Sequence, residues 1–549
     1  MYPLTFILIL MTWTSCTQNK RKADLILTGG TVYTVDEEFS IAGALAVMDG
    51  RILEAGTPEA ILEKYRSSKV IDLEGAFVYP GWIDSHCHFF GYGMNLNAAD
   101  LTGTSSVDEI IALLEEHHRL HGGSWITGRG WDQNDWEVKE FPDRQVLDQH
   151  FPQTPVLLRR IDGHAAWVNS RALELAGVTA HSSVQGGTVM LKGGEPTGIL
   201  VDNAIDLVGS IIPGPYTGEM IQALKEAEAN CFRVGLTSVN DAGLSLRVVH
   251  LIDTLQKKGE LKIRINAWLS PSEENFANYV EKGPVQTGRL TVNTIKLFAD
   301  GALGSRGALM IEPYSDDPGN RGLLVTPMEE LERHCRRAYD HGYAVATHCI
   351  GDAANREILR LYARILGGEN DRRWRIEHAQ VVHPDDFHYF GDYDIVPSVQ
   401  STHATSDMYW AQERIGPERM AGAYAYRQLL EQNGWIPNGS DFPVEDINPL
   451  YGLYASVTRK DRSGNPPGGF RAEEVLSREE ALRAMTIWSA KAGFEEKLKG
   501  SIEPGKLADL VVTEKDLMTA PEAELAGIRV LATYSGGELV YRLEEATGK

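Results

Sequence analysis

Cysteine is scarce: the chain has five in 549 residues, and no two form a Cys-x-x-Cys pair. That argues against a thiolate zinc site and against a scaffold stapled by disulfides. Basic charge is short as well. Fifty-three Lys and Arg face 76 Asp and Glu, a formal net charge of −23. Nucleic-acid binding needs a basic face and is disfavoured. No Gly-x-Gly-x-x-Gly follows an early strand pattern, so a dinucleotide fold lacks its fingerprint. Past the N-terminus no apolar run is long enough to cross a bilayer. What is present is ordinary for a globular protein, 43% hydrophobic and 23% charged. The length implies more than one domain, or one large domain with additions.

Met1 to Trp13 is almost uninterruptedly apolar, centred on Phe6-Ile7-Leu8-Ile9-Leu10-Met11. Ser15-Cys16 follow, then the polar, basic run Thr17 to Lys22. Such a run is too short for a mature transmembrane helix and fits a signal h-region. A small residue followed by cysteine resembles a bacterial lipoprotein signal, with Cys16 as the lipidated first residue. Export is therefore expected, to the periplasm or to a membrane through a lipid on Cys16. Cys87, Cys231, Cys335 and Cys349 are expected to be buried for structural reasons.

Residues 24–80 read as short strands, with Asp49-Gly50 between two apolar runs as a hairpin turn. The far end looks alike: Ala508–Val512, then Val530–Tyr534, a Gly536-Gly537 turn and Leu539–Tyr541. The two ends, 24–80 and 496–549, are expected to pair into a small β-sandwich. Between them, over 81–495, strands alternate with helices such as Thr217–Val234 and Met328–His341. Apolar runs lie at Phe77–His88, Gly235–Asp241, Ile263–Leu269, Val292–Phe298, Tyr343–His348, Trp374–His378, Ile395–Gln400 and Trp435–Asp441. This alternation predicts an α/β fold, a (β/α)8 TIM-type barrel; the alternative is an open doubly wound sheet. The first gap is too long for one crossover. It holds an inserted subdomain, about 91–217, which leaves the barrel at its catalytic mouth.

The chemistry collects at strand ends. His86-Cys87-His88 closes the first strand, and residues two apart point to one side. Both imidazoles can therefore aim at one point, at a distance suited to Zn(II). The fourth strand ends with Lys296, the fifth with His348, the sixth with His378 and the eighth with Asp441. Each alone is weak; together on one rim they predict a metal centre.

The segments Pro80–His88, Asp162–Ser170, Lys296–Arg306, Thr347-His348, Ile376–Gln380, Gly439–Pro443 and Gly505–Val512 resemble the amidohydrolase superfamily. The likeness is to its amidohydrolase-3 branch, which includes N-substituted formamide deformylases. The resemblance implies two divalent metals, usually zinc. His86, His88 and Asp441 would hold one, His348 and His378 the other, and Lys296, carboxylated by CO2, would bridge them. It implies hydrolysis of a non-peptide C–N bond in a small amide, formamide or N-acyl compound, by a hydroxide shared between the metals. Asp441 would relay the proton. His164 is a candidate for contact with substrate or the tetrahedral oxygen, and His403 a further catalytic candidate near Asp407. Arg306 either clamps a carboxylate or pairs with an acid. Trp131 and Trp136 either wall a pocket or form the core of the insert. Gly464–Gly469 is a breaker-rich loop.

Two other readings stand beside this one. A mononuclear deaminase of the same superfamily would lack the bridging lysine. A surface lipoprotein would bind a ligand on the barrel without turnover. The expected partner is a small amide-type molecule; association into a homo-oligomer is compatible with the sequence.

Overall fold

The chain changes sheets at Gly81. The computed structural model describes residues 20–544; the signal segment 1–16 and the lipid site Cys16 lie outside the described residues. Phe77–Pro80 pairs antiparallel with Leu510–Thr513, and the Gly81 N–H donates to Asp509 O at 2.8 Å. One residue on, Trp82 N donates to Gly235 O at 3.2 Å and the chain enters the barrel. Any Cβ at Gly81 would lie 2.4 Å from Thr237 Oγ1, so only glycine fits this crossing. The run expected as one strand, Phe77–His88, is thus two strands in two sheets.

The central sheet is a nearly closed parallel barrel of seven strands. They are β1 (Trp82–Cys87), β2 (Leu236–Leu244), β3 (Arg264–Leu269), β4 (Leu290–Phe298), β5 (Ala344–Cys349), β6 (Arg375–His378) and β7 (Val396–Ser398). Neighbours in sequence are neighbours in the sheet. The strand expected at Trp435–Asp441 forms no regular ladder. Pro437 has no N–H to give, and Asp441 has φ +61. Hydrogen bonds still fill the gap: Gly439 N to Val399 O at 3.0 Å, Asp441 N to His86 O at 2.8 Å, His88 N to Phe442 O at 2.8 Å. The fold is a TIM-like α/β fold.

Helices cover the barrel because their apolar residues recur at three- and four-residue spacing. Thr217–Arg233 buries Met220, Ala223, Leu224, Ala227 and Cys231. Asp352–Leu366 buries Ile358, Leu359, Leu361 and Tyr362. Cys87, Cys231, Cys335 and Cys349 are all buried and unbridged. No helix among the described residues is long and apolar enough to cross a membrane.

The chain ends share an eight-stranded sheet, in which 510–513 lies against 77–80. Asp49 and Gly50, at φ +50 and +72, make the tight turn between Ile41–Met48 and Arg51–Gly56. Gly536 and Gly537 repeat it at the other end, at φ +57 and +73. Between β1 and β2 the chain builds a six-stranded sheet from Ala99–Asp100 to Glu195–Asp202. Trp131, Trp136 and Trp167 lie together in its core. Trp131 Nε1 donates to Leu158 O at 2.9 Å and Trp136 Nε1 to Thr104 O at 3.1 Å. Both indoles are committed there, which decides against a pocket-wall role.

Candidate metal centre

Asp84, His86 and His88 share one side of β1 and its continuation. Asp84 is the lower rung: its Oδ1 accepts His86 N at 3.0 Å, and its Oδ2 accepts Ser440 Oγ at 2.6 Å. That pins β1 to the segment carrying Asp441. The two come so close that a Cβ at Gly439 would lie 2.6 Å from His86 N.

Above that clasp the side chains converge. Asp441 Oδ1 is 3.4 Å from His86 Nε2 and 3.2 Å from His88 Nε2. Asp441 Oδ2 is 3.6 Å from His403 Nε2. Lys296 Nζ is 3.2 Å from His86 Nε2. The His378 ring centroid is 5.1 Å from that of His86 and 4.5 Å from that of His348. His164 stands over His348 at 4.8 Å. The structure therefore brings together all eight residues singled out in the sequence. Two His/Asp trios are close enough to hold an ion: His86, His88 and Asp441, and His378, His403 and Asp441. Lys296 and His348 lie beside these trios; His348 Nε2 is 3.4 Å from Gly301 O.

The backbone produces this convergence in an unusual way. His378 and Asp441 both sit at positive φ, +76 and +61. Side chains on successive residues of a strand normally diverge. The left-handed turn at His378 lets it and its neighbour Glu377 both reach the barrel axis. Such costly backbone clusters at functional sites.

The protonation pattern suits a cation. His86 Nδ1 lies 2.6 Å from Glu377 Oε2, and His88 Nδ1 3.3 Å from Ala242 O. A carboxylate and a carbonyl only accept, so both Nδ1 atoms donate and both Nε2 atoms keep a lone pair. His378 Nδ1 is tied in the same way to Gln400 Oε1 at 2.7 Å. Lone pairs of His86 and His88 thus face Asp441 Oδ1, which is buried and has no hydrogen-bond donor among the described residues. His403 Nε2 is orphaned likewise. Converging acceptors repel unless a cation lies between them, so the donor set fits a divalent metal.

Charge effects point the same way. Burial, then the Lys296 cation, pushes His86 down to about 4. Burial also holds His348 and His378 well below the usual imidazole range. Burial lowers Lys296 to about 8. For His164 burial opposes the charge, yet the 2.6 Å hydrogen bond and the charge of Asp202 prevail and raise it.

Several functional positions escaped the sequence reading. Glu377, Gln400 and Asp202 orient His86, His378 and His164, and Asp84 braces β1. Asp84 was readable, since it is two residues from His86; the others depend on register. Asp300 binds Leu309, Ile350 and Gly351 N–H groups at 2.8–3.0 Å, locking the loops after β4 and β5. Arg306 pairs with Asp316 at 2.8 Å, which supports its structural reading. Asp407 accepts from Gln380 Nε2 and Tyr424 Oη, at 3.0 and 2.8 Å, behind the site.

A TIM-like barrel with an imidazole–carboxylate centre at its strand ends defines a class of metal-dependent hydrolases. The amidohydrolase family matches over residues 69–541. A protein named LONG AFTER FAR-RED 3 from Arabidopsis thaliana is 36% identical over 542 residues, 94% of this chain and 92% of the relative. N-substituted formamide deformylase from Arthrobacter pascens is 26% identical over 547 residues, 96% and 99% of the two chains. The crystal structure of an uncharacterized metal-dependent hydrolase from Pyrococcus horikoshii superposes with a TM-score of 0.74 at 28% identity, covering 92% and 99%. The chain belongs to the amidohydrolase family. It is an enzyme of that family, acting on carbon–nitrogen bonds other than peptide bonds.

Proposed function

We propose that the enzyme hydrolyses a small formamide or N-acyl compound at a centre of two divalent metals, zinc in its ordinary state. His86, His88 and Asp441 would hold one metal, His348 and His378 the other, with carboxylated Lys296 between them. His403 is the alternative donor beside His378. The observation carrying this reading is the approach of Asp441 Oδ1 to two imidazole lone pairs, with Lys296 Nζ 3.2 Å from one of them. Lys296 is buried and makes no ion pair with a carboxylate among the described residues. An ammonium there would be buried with only the charges of Glu377 and Asp441 at longer range to offset it; an amine that has taken up CO2 becomes an anionic ligand.

When bound, such metals supply an acidified water as nucleophile and an electrophile for the carbonyl oxygen. The residues of the chain do the rest. Asp441 Oδ2, the oxygen turned toward His403, takes the proton of the attacking water. It delivers that proton to the leaving nitrogen as the C–N bond breaks. His164, held by Asp202, donates to the developing oxyanion. His403 steadies Asp441. The side chains are 32% exposed at His88, 16% at His164 and 12% at His403, against 0% at His86. Substrate therefore enters over His88, His164 and His403. The insert of about 91–217 is read as a subdomain over the mouth of the barrel, and the end sheet as a sandwich around Leu27, Val47, Val78, Leu510 and Val512.

The test is metal content together with turnover. Zinc-loaded wild type is expected to bind two metals per chain and to hydrolyse members of an N-formyl, N-acyl-amino-acid and cyclic-amide panel. Lys296→Ala should bind fewer metals and lose at least about 100-fold in kcat/KM. One metal per chain, with Lys296 unmodified by mass spectrometry, would favour the deaminase reading.

A further inference from the structure

Three arginines of the insert and the segments packed on it are neutralised. Arg160 binds Asp132 and Asp162. Arg306 and Arg414 share Asp316. Arg129 is different. It lies on the insert strand Ile126–Trp131, and its guanidinium borders Gly163, one residue before His164; a Cβ there would be 3.4 Å from Nη1 and 3.5 Å from Nη2. Glycine leaves that edge uncovered. Nη2 donates to Ile161 O at 2.7 Å. Nε is buried with no partner, and Arg129 makes no ion pair among the described residues.

Its surroundings make the charge costly. Arg159 is its partner in register on the next strand and repels it. Burial, then Arg159, brings Arg129 down to about 10, still cationic at neutral pH. The carboxylates whose charge reaches it are Asp441 and Asp162. Asp162 already belongs to Arg160, and Asp441 belongs to the candidate centre. A half-buried guanidinium with no anion of its own has lost hydration without gaining a counter-charge, and such groups are ordinarily paired. Its planar fork matches a carboxylate in two parallel hydrogen bonds.

We infer that Arg129 is the anchor for a carboxylate on the substrate, so that the compound hydrolysed is an N-acyl or N-formyl amino acid or a similar anionic amide. This rests on the amide-hydrolase reading above and narrows its substrate class. The scissile bond lies over the His/Asp centre, and the anion points toward the insert between Arg129 and Gly163.

The experiment compares matched pairs that differ only in charge, such as N-acetylglycine with N-acetylglycinamide and N-formyl amino acids with their carboxamides. Wild type is expected to prefer the acid by about 30-fold or more in kcat/KM, chiefly through KM. In Arg129→Met that ratio should collapse toward one, and in Arg129→Lys it should be partly kept. Unchanged metal content and melting temperature certify that the variants fold. Calorimetry with N-acetylglycine and N-acetylglycinamide on the metal-loaded enzyme reads the anchor without turnover. Binding of the acid at least about ten-fold tighter than the amide, lost in Arg129→Met, supports the inference even if no amide is cleaved. An acid-to-amide ratio the same in wild type and Arg129→Met, or a wild type that prefers the neutral amides, overturns it while leaving the hydrolase reading intact.

Discussion

Glu377 serves His86, on the far side of the barrel axis, rather than His378 beside it in sequence. Its Oε2 accepts a hydrogen bond from His86 Nδ1–H at 2.6 Å, which leaves Nε2 free to ligate. Its other oxygen is 3.4 Å from Arg375 Nε, and the Arg375 guanidinium lies 4.1 Å over the Trp268 ring. On the proposed metal reading, Glu377→Gln removes the charge that would make His86 a stronger ligand. Metal affinity should fall about 10–100-fold, the usual effect of losing such a partner. Competition with a chelator measures this, and a variant that holds metal as tightly as wild type would remove Glu377 from the role. At this scale the residues that converge were legible. His86, His88, Lys296, His348, His378 and Asp441 are chemically distinctive side chains at the ends of apolar runs. Their orienting partners were not legible, because Glu377, Gln400 and Asp202 are ordinary polar residues until register and backbone twist bring them to a ring nitrogen. The role of Trp131 was likewise open until its Nε1 was found bound to Leu158 O.

At the scale of elements, Asn169 holds part of the insert together. It caps the helix Ser170–Ala176, its Oδ1 accepting Ala172 N and Val156 N, each at 3.0 Å. Its Nδ2 donates to Phe151 O and Thr154 O, each at 2.9 Å. Asn169→Ala leaves these buried groups unpaired and should cost about 1–3 kcal/mol. Hydrogen exchange should then quicken over 144–176 while barrel strands stay protected. Uniform protection across insert and barrel would show that the two do not open separately. Six of the seven barrel strands were legible within a few residues because their apolar runs are bounded by polar helices. The misses have local causes. Phe77–His88 is divided by Gly81, whose missing Cβ is demanded by Thr237, a residue distant in sequence. The segment Trp435–Asp441 closes the barrel without a ladder because Pro437 lacks a donor and Asp441 turns left-handed.

Across the whole molecule, the barrel and the end sheet are joined by a buried ion pair. Arg264 on β3 gives Nε and Nη2 to Asp509 at 2.6 and 3.0 Å, and Asp509 also accepts Gly536 N at 2.7 Å. Burial alone would raise the Asp509 carboxyl, but Arg264 holds it below the usual carboxylate range. Its folded pKa therefore lies below the unfolded value near ~3.9. The stabilisation is fully present above that value and is lost as pH falls through the folded one. Asp509→Asn strands the guanidinium and should cost about 3–5 kcal/mol at neutral pH. Denaturant midpoints of variant and wild type should differ most at pH 7 and converge below about pH 3.9. A gap that does not change with pH would mean that the pair is not what joins the two parts.

By itself the sequence determined which chemistry is available: imidazoles, one lysine and one aspartate at strand ends, on an alternating strand–helix chain. Those features are local, written in spacing and residue type. Only the tertiary structure decided how these groups face one another, which partners orient them, and that Arg129 beside them makes no ion pair among the described residues. Such facts depend on register, on left-handed residues at His378 and Asp441, and on contacts between segments hundreds of residues apart. No local pattern carries that information, because each contact exists only once the barrel has closed.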